Sequence, residues 1–328
     1  MKVGYDVAPL VLDNAGTARY VRGVLAELRS RGDVDVRELS WGGGGRATAA
    51  VRDVAWYPVG LPLRARGLDV LHCTTFRAPL RAPLPVVVTV HDLAAVRFPE
   101  LFTTWTRLYA RTLLARVLRS ATRVLAVSEF TKRDVAELAG VPEERIDVAY
   151  NAADATVFTA DGPAAEGDYV LAVGTLEPRK NLPRLIEATG RLGIALRIAG
   201  ARGWGSVDAD APHVTWVGRP SDEELAELLR GALCLAYPSL WEGFGIPVLE
   251  AMLCGTPVVT SKGSAMEEVA AGAAELVDPA AVESIAAGIE RALGRRDELR
   301  AAGLLRAQSF GWARTADAVV DCYRRAAR

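Results

Sequence analysis

The sequence predicts an α/β chain of two Rossmann-like halves, each a parallel sheet wrapped by helices. Short β-rich runs alternate with amphipathic stretches from end to end, the pattern of strand–helix–strand units. Several runs are apolar without alternation, Val86-Val87-Val88 among them, as strands covered on both faces require. A length of 328 residues fits two domains of roughly 150 residues each.

The first half offers strands over 3–7, 34–39, 69–71, 86–90, 124–127 and 146–149. The second offers them over 169–173, 195–199, 214–217, 233–237 and 257–260. Between them, Tyr20, Val21, Val24, Leu25 and Leu28 make one helix face. Ser221 with Glu224 forms a capping box ahead of Leu225, Leu228 and Leu229. The break falls in 159–168, a polar stretch holding Gly and Pro, so the domains expected are 1–160 and 168–311.

Half the residues are hydrophobic and the net charge is −1. That balance excludes a disordered chain and a broad electrostatic grip on nucleic acid. Cys73, Cys234, Cys254 and Cys322 lie far apart with no Cys-x-x-Cys pair, so buried free thiols in a reducing compartment are expected. The N-terminus alternates like a strand and lacks a signal peptide's apolar core. No apolar run reaches the ~18 residues of a membrane span. The expected location is the cytosol.

In doubly wound folds ligands bind beyond the carboxyl ends of the strands, so polar residues placed there carry the chemistry. The foremost segment is Pro238-Ser239-Leu240-Trp241-Glu242-Gly243-Phe244-Gly245-Ile246-Pro247-Val248-Leu249-Glu250-Ala251-Met252. A strand ends there, a glycine-flanked turn follows, and a helix opens with Pro247 in its first turn. The turn's N–H groups and the helix N-terminus can meet hydroxyl or phosphate oxygens. Glu250 inside so apolar a helix needs a partner; a structural salt bridge and an acceptor for sugar hydroxyls are both open. The second segment is Gly174-Thr175-Leu176-Glu177-Pro178-Arg179-Lys180-Asn181. Adjacent Arg179 and Lys180 after a strand suit a diphosphate, unless they are a solvated cluster ahead of a helix capped by Asn181. Third, His91-Asp92 follows the run over 86–90, either as a satisfied structural histidine or as a group facing a ligand.

Glu242-(seven residues)-Glu250, with Gly255-Thr256-Pro257-Val258-Val259 beyond it, resembles the signature of family 4 of the retaining glycosyltransferases, which have the GT-B fold. The resemblance implies two Rossmann-like domains with parallel sheets facing across a cleft. It further implies that the closing Phe310-Gly311-Trp312-Ala313-Arg314-Thr315 starts a helix crossing back to the first domain, adding 312–328 to it. By the same resemblance Glu250 binds the nucleotide ribose, while Glu242 with the amides of Gly243, Phe244 and Gly245 holds the donor sugar. Arg179 and Lys180 bind the diphosphate. Many relatives have arginine where this chain has Thr175, which passes that role to Arg179. Thr-Val-His-Asp-Leu followed by Phe98-Pro99-Glu100 is similar to the mannosyltransferase-like branch, in which His91 lies against the donor sugar; Asp92 reads as an orienting rather than a reacting group.

Gly16 and Thr17 before the first helix, Ser128 and Asn151 are weaker candidates for an acceptor or phosphate contact. Ser128 serves equally as an N-cap and Asn151 as a turn residue. No metal site is expected: His72, His91 and His213 lack ligand spacing. Neither Asp33 with Asp35 nor Asp208 with Asp210 follows an apolar strand end. No cofactor is expected either. Arg97, Arg107, Arg111, Arg116, Arg119 and Arg123 crowd a stretch whose helix has Trp105, Leu108, Tyr109, Thr112 and Leu113 as its expected buried face. A solvated basic face or a peripheral contact with anionic lipid would explain them. The function implied is transfer of a hexose, mannose from GDP-mannose first, to a hydroxyl of a glycan or glycolipid. A UDP-sugar donor and a non-catalytic sugar-nucleotide-binding subunit are the alternatives.

Overall fold

A computed structural model describes residues 1–11, 15–43, 45–201 and 211–328; Asp208 and Asp210 lie outside them. The chain forms two compact units, Met1–Ala152 with Trp312–Arg328, and Ala153–Gly311.

The first unit holds a parallel sheet of β1 (Lys2–Asp6), β2 (Asp35–Leu39), β3 (Val70–Cys73), β4 (Val86–Val90), β5 (Arg123–Ala126) and β6 (Ile146–Val148), in the order β2-β1-β3-β4-β5-β6. Every residue of β4 is buried, as its unbroken apolar run demands. Helix α1 (Ala15–Ser30) buries Tyr20, Val21, Val24, Leu25 and Leu28 against the sheet. Helix α2 (Glu129–Ala139) follows β5 and ends at Gly140 in the left-handed region.

The C-terminal helix Trp312–Ala326 completes this unit. Its Val319, Val320, Cys322 and Tyr323 share a core with Tyr5, Tyr20 and Val87. Trp312 covers Gly23 so closely that a Cβ there would stand 2.3 Å from its ring. Arg31 pairs with Asp317, and Arg324 with Asp33 at 2.8 Å. Asp33 is thus spent on ion pairs within the unit.

The second unit carries β7 (Tyr169–Val173), β8 (Ala195–Ala199), β9 (Val214–Gly218), β10 (Cys234–Tyr237), β11 (Val258–Ser261) and β12 (Glu275–Val277), ordered β12-β11-β10-β7-β8-β9 and all parallel. Helices α3 (Leu182–Leu192), α4 (Asp222–Gly231) and α5 (Ile246–Leu253) wrap it. The capping box at Ser221 and Glu224 opens α4. Stretch 159–168 belongs to this unit: Ala165 N donates to Glu227 O at 3.0 Å and Arg230 Nε to Pro163 O at 2.6 Å.

Two readings of the sequence need correction. Strand β12 was not anticipated, being three residues long beside an alanine-rich turn. Trp105 and Leu108 are 43% and 53% exposed rather than buried, and Thr112 is exposed too. The helical turns widen at Ala110–Leu114, and burial passes to Tyr109, Ala110 and Leu114. All four cysteines are free and buried. Among the described residues no helix is long and apolar enough to cross a membrane.

Candidate active site

The second sheet reverses its winding between β7 and β10: β8 and β9 lie on one side, β11 and β12 on the other. Chain leaving the carboxyl ends of such neighbouring strands parts in opposite directions and opens a crevice. The loop after β7 and the loop after β10 both start there.

The first of these loops is stitched to the second. Asn181, held at φ 59°, donates from its side-chain amide to Pro238 O at 3.0 Å and Pro279 O at 2.7 Å. Its side chain therefore does not cap α3, the alternative that the sequence left open. Leu240 N donates to Arg179 O at 2.8 Å. Gly174 adopts φ 145°, and the stem of Lys180 lies against it; a Cβ there would be 3.1 Å from Lys180 Cε. The lysine is thereby folded back over the strand ends.

Five side chains converge at this point. Lys180 Nζ donates to Glu242 Oε1 and to the Tyr237 hydroxyl, both at 2.6 Å. The Tyr237 hydroxyl donates to Glu242 Oε1 at 2.9 Å. Arg179 Nη1 donates to Glu242 Oε2 at 2.7 Å, and its Nη2 to Glu177 Oε1 at 2.7 Å. Burial alone would raise the Glu242 pKa, but Arg179 and Lys180 outweigh it and hold the carboxyl down to about 2. Burial likewise opposes charge on Lys180, and Glu242 reverses that, leaving the ammonium above its ordinary value. Burial, then Glu242, pushes Tyr237 up to about 12. The cluster is therefore a locked ion pair at neutral pH. A carboxylate offers roughly four lone-pair sites; three of those on Glu242 are taken within the cluster, leaving about one for a ligand.

Beyond it, Gly245 at φ 93° turns the chain into α5, whose Glu250 is 1% exposed. Phe244 packs edge-on against Phe310 at 5.7 Å, so its side chain faces the core.

The first sheet changes direction between β1 and β3. There Thr74 Oγ1 donates to Asp6 O at 2.8 Å, and His91 Nε2 meets Thr74 O at 3.0 Å. A carbonyl only accepts, so Nε2 carries the proton and the neutral ring leaves Nδ1 as an acceptor. Burial holds His91 below its ordinary pKa, against the opposing pull of the Thr74 carbonyl and Asp92. Asp92 Oδ1 accepts from Ala94 N at 3.0 Å and fixes the turn. Asp6 is fully buried, accepts from Ala8 N and the Tyr57 hydroxyl, and is pushed up to about 6 by that burial.

The weaker candidates fall elsewhere. Ser128 Oγ accepts from Thr131 N at 3.0 Å, capping α2 from a fully buried position. Asn151 is buried after β6, while Gly16 is exposed and Thr17 half-buried in the first turn of α1. Among the described residues no group of three or more His, Cys, Asp or Glu could hold a metal ion. Tyr237, Glu177, Thr74 and Asp6 were not singled out from sequence, though Tyr237 carried one signal: a polar-tipped residue closing a buried strand.

Residues 15–157 match the family described as Glycosyltransferase Family 4, and residues 160–303 match Glycosyl transferases group 1. The chain is 31% identical over 283 residues to O-antigen chain mannosyltransferase B of Escherichia coli, across 78% of this chain and 74% of that protein. Its fold is similar to sucrose-phosphate synthase from Thermosynechococcus elongatus, with a TM-score of 0.77 at 19% identity over 99% of this chain and 98% of that one. A likeness of the same kind joins it to Anabaena Alr3699/HepE in complex with UDP-glucose, with a TM-score of 0.74 at 19% identity over 98% of both chains.

Proposed function

The chain belongs to glycosyltransferase family 4, in its mannosyltransferase-like branch with the GT-B fold, and from that premise we propose that it moves a hexose from a sugar nucleotide to a hydroxyl of a glycan or glycolipid with retention at the anomeric carbon. Mannose from GDP-mannose is the first donor to try. The observation that carries the reading is the buried Arg179–Lys180–Glu242 cluster at the reversal point of the second sheet.

The roles follow from chemistry. Arg179 and Lys180 stabilise the charge that develops on the departing diphosphate, a task that otherwise needs a metal. Glu250 accepts from the nucleotide ribose, and the amides of Gly243, Phe244 and Gly245 meet the sugar. Glu242 holds both cations in place and has room for about one sugar hydroxyl. His91, neutral with Nδ1 free to accept, positions the sugar as it gains oxocarbenium character. In front-face displacement the new glycosidic bond forms on the side the diphosphate leaves. The acceptor's proton passes to a diphosphate oxygen, so no protein base is required.

Turnover of a GDP-, UDP- and ADP-sugar panel, with and without EDTA, tests this. Transfer from GDP-mannose unaffected by EDTA is expected; loss of turnover with EDTA, restored by a divalent ion, would end the metal-independent mechanism. A UDP-sugar donor is the second reading, favoured by the fold likeness to a protein solved with UDP-glucose. For peripheral attachment at the inner face of a membrane, Arg107, Arg111, Arg116 and Arg119 pair with no carboxylate among the described residues, and Leu108 beside them is exposed. Arg97 and Arg123 are instead held by Asp134 and Asp147. Binding to anionic vesicles should be lost on charge reversal at Arg107 and Arg111.

A further inference from the structure

Beside the reversal point of the first sheet lies an open cavity of about 430 Å³, walled by Tyr57, Pro58, Ala78, Leu80, Tyr109 and Leu113. That volume falls among small-ligand sites, roughly 300–1,000 Å³. Most of its polar groups are already engaged. The Tyr57 hydroxyl donates to Asp6 Oδ2 at 3.2 Å and the Tyr109 hydroxyl to Phe76 O at 3.1 Å. Asp53, also at the wall, accepts from Arg77 Nε and from Trp105 Nε1, both at 2.8 Å. The tyrosines therefore show the cavity their rings. Arg81 is the exception: it is exposed, lines the cavity, and pairs with no carboxylate among the described residues.

The surroundings extend this character. Leu80 at the wall is 45% exposed, Val54 next to Asp53 is 65% exposed, and Trp105 is 43% exposed. Inward, the cavity is wired to the strand ends. Tyr57 bonds to Asp6, Thr74 bonds to Asp6 O, and His91 bonds to Thr74 O. Three successive hydrogen bonds thus lead from the wall to His91.

We propose that this cavity binds the apolar chain of an amphiphilic acceptor, with Arg81 against an anionic group such as a phosphate. A sugar or nucleotide would bury hydroxyls against rings and aliphatic carbons that cannot satisfy them. An alkyl or prenyl chain instead displaces water from apolar wall, at about fourfold in affinity per methylene. Naming the ligand an acceptor rests on the glycosyl-transfer reading; its binding does not.

Calorimetric titration of the full chain without donor separates the two. Octyl phosphate, below its micellar concentration, should bind with one-to-one saturation and roughly tenfold or more tighter than butyl phosphate. Octyl glucoside, lacking the charge, should bind more weakly than octyl phosphate. Ala78→Trp, which fills the cavity, and Leu80→Asp, at its exposed rim, should each erase the chain-length dependence. Leu80→Asp decides the matter if Ala78→Trp does not fold. Arg81→Ala should bring octyl phosphate to the level of octyl glucoside. Equal binding of octyl and butyl phosphate, or binding unchanged by Leu80→Asp, overturns the proposal, as does loss only on charge reversal at Arg107 and Arg111. Failure of every donor to turn over would sink the glycosyl-transfer reading and leave this site standing.

Discussion

Lys180 Nζ and Glu242 Oε1 meet at 2.6 Å with only 12% and 10% of their side chains exposed. The pair comes from two strand-end loops more than sixty residues apart in sequence, and each partner secures the other's ionisation. Removing Glu242 leaves two neighbouring cations in a site that opposes charge. Glu242→Ala should lower unfolding free energy by roughly 3–5 kcal/mol in urea titrations. Glu242→Gln, which keeps the shape, should lose less. Equal stability of all three proteins would contradict a locked cluster.

Lys180→Ala should reduce kcat by about 10²-fold or more, because a preplaced charge acts on the departing diphosphate. Arg179→Lys should also be impaired, since a point charge cannot bridge Glu177 and Glu242 as the guanidinium fork does. Steady-state kinetics with saturating donor measure both.

Glu250→Ala should weaken nucleotide affinity by about 1–3 kcal/mol while leaving the Arg179–Lys180–Glu242 cluster intact. Calorimetry with the free nucleoside diphosphate reads this directly. Unaltered affinity would remove Glu250 from the ribose site.

Asn181 both adopts φ 59° and donates two side-chain hydrogen bonds to the neighbouring loops. Asn181→Gly keeps the backbone and loses the bonds; Asn181→Ala loses both. Glycine should therefore lie about 1 kcal/mol above alanine in stability, and both below wild type, in thermal unfolding.

His72 predicts an acid limb of stability. It is fully buried between the Tyr323 hydroxyl at 2.6 Å and Thr89 Oγ1 at 2.7 Å, and burial holds its pKa at about 3. The unfolded chain binds this proton below about pH 6.5, the folded chain only near 3. Stability conferred by the neutral ring is thus complete above 6.5 and falls as the pH drops toward 3, by at most about 1.4 kcal/mol per unit. Asp6, with its raised pKa, works in the opposite sense. The comparison with His72→Gln isolates the histidine: the variant should show a shallower acid slope.

Both sheets were legible in the sequence because buried parallel strands leave unbroken apolar runs, and Tyr20 to Leu28 announced a helix face by spacing. Strand β12 left no such trace, since Glu275-Leu276-Val277 is only three residues long, opens on a charge and follows two alanines. Glu242 and the Arg179–Lys180 pair were each visible as strand-end polar residues, but their mutual ion pair was not. Nothing local in either loop reports on a partner brought in by sheet order. The chain from Tyr57 through Asp6 and Thr74 to His91 was hidden for the same reason. Trp105 and Leu108 misled because helical spacing assumes a regular turn, and the widened turns at Ala110–Leu114 move the covered face.

The placement of Val319, Val320, Cys322 and Tyr323 in one core with Tyr5 and Val87 bears on how the protein is made. Those four side chains leave the ribosome only after the whole of Ala153–Gly311 has emerged. The half translated first is the half finished last. A chain truncated after residue 311 should carry a protease-resistant second half and a first half still open to cleavage.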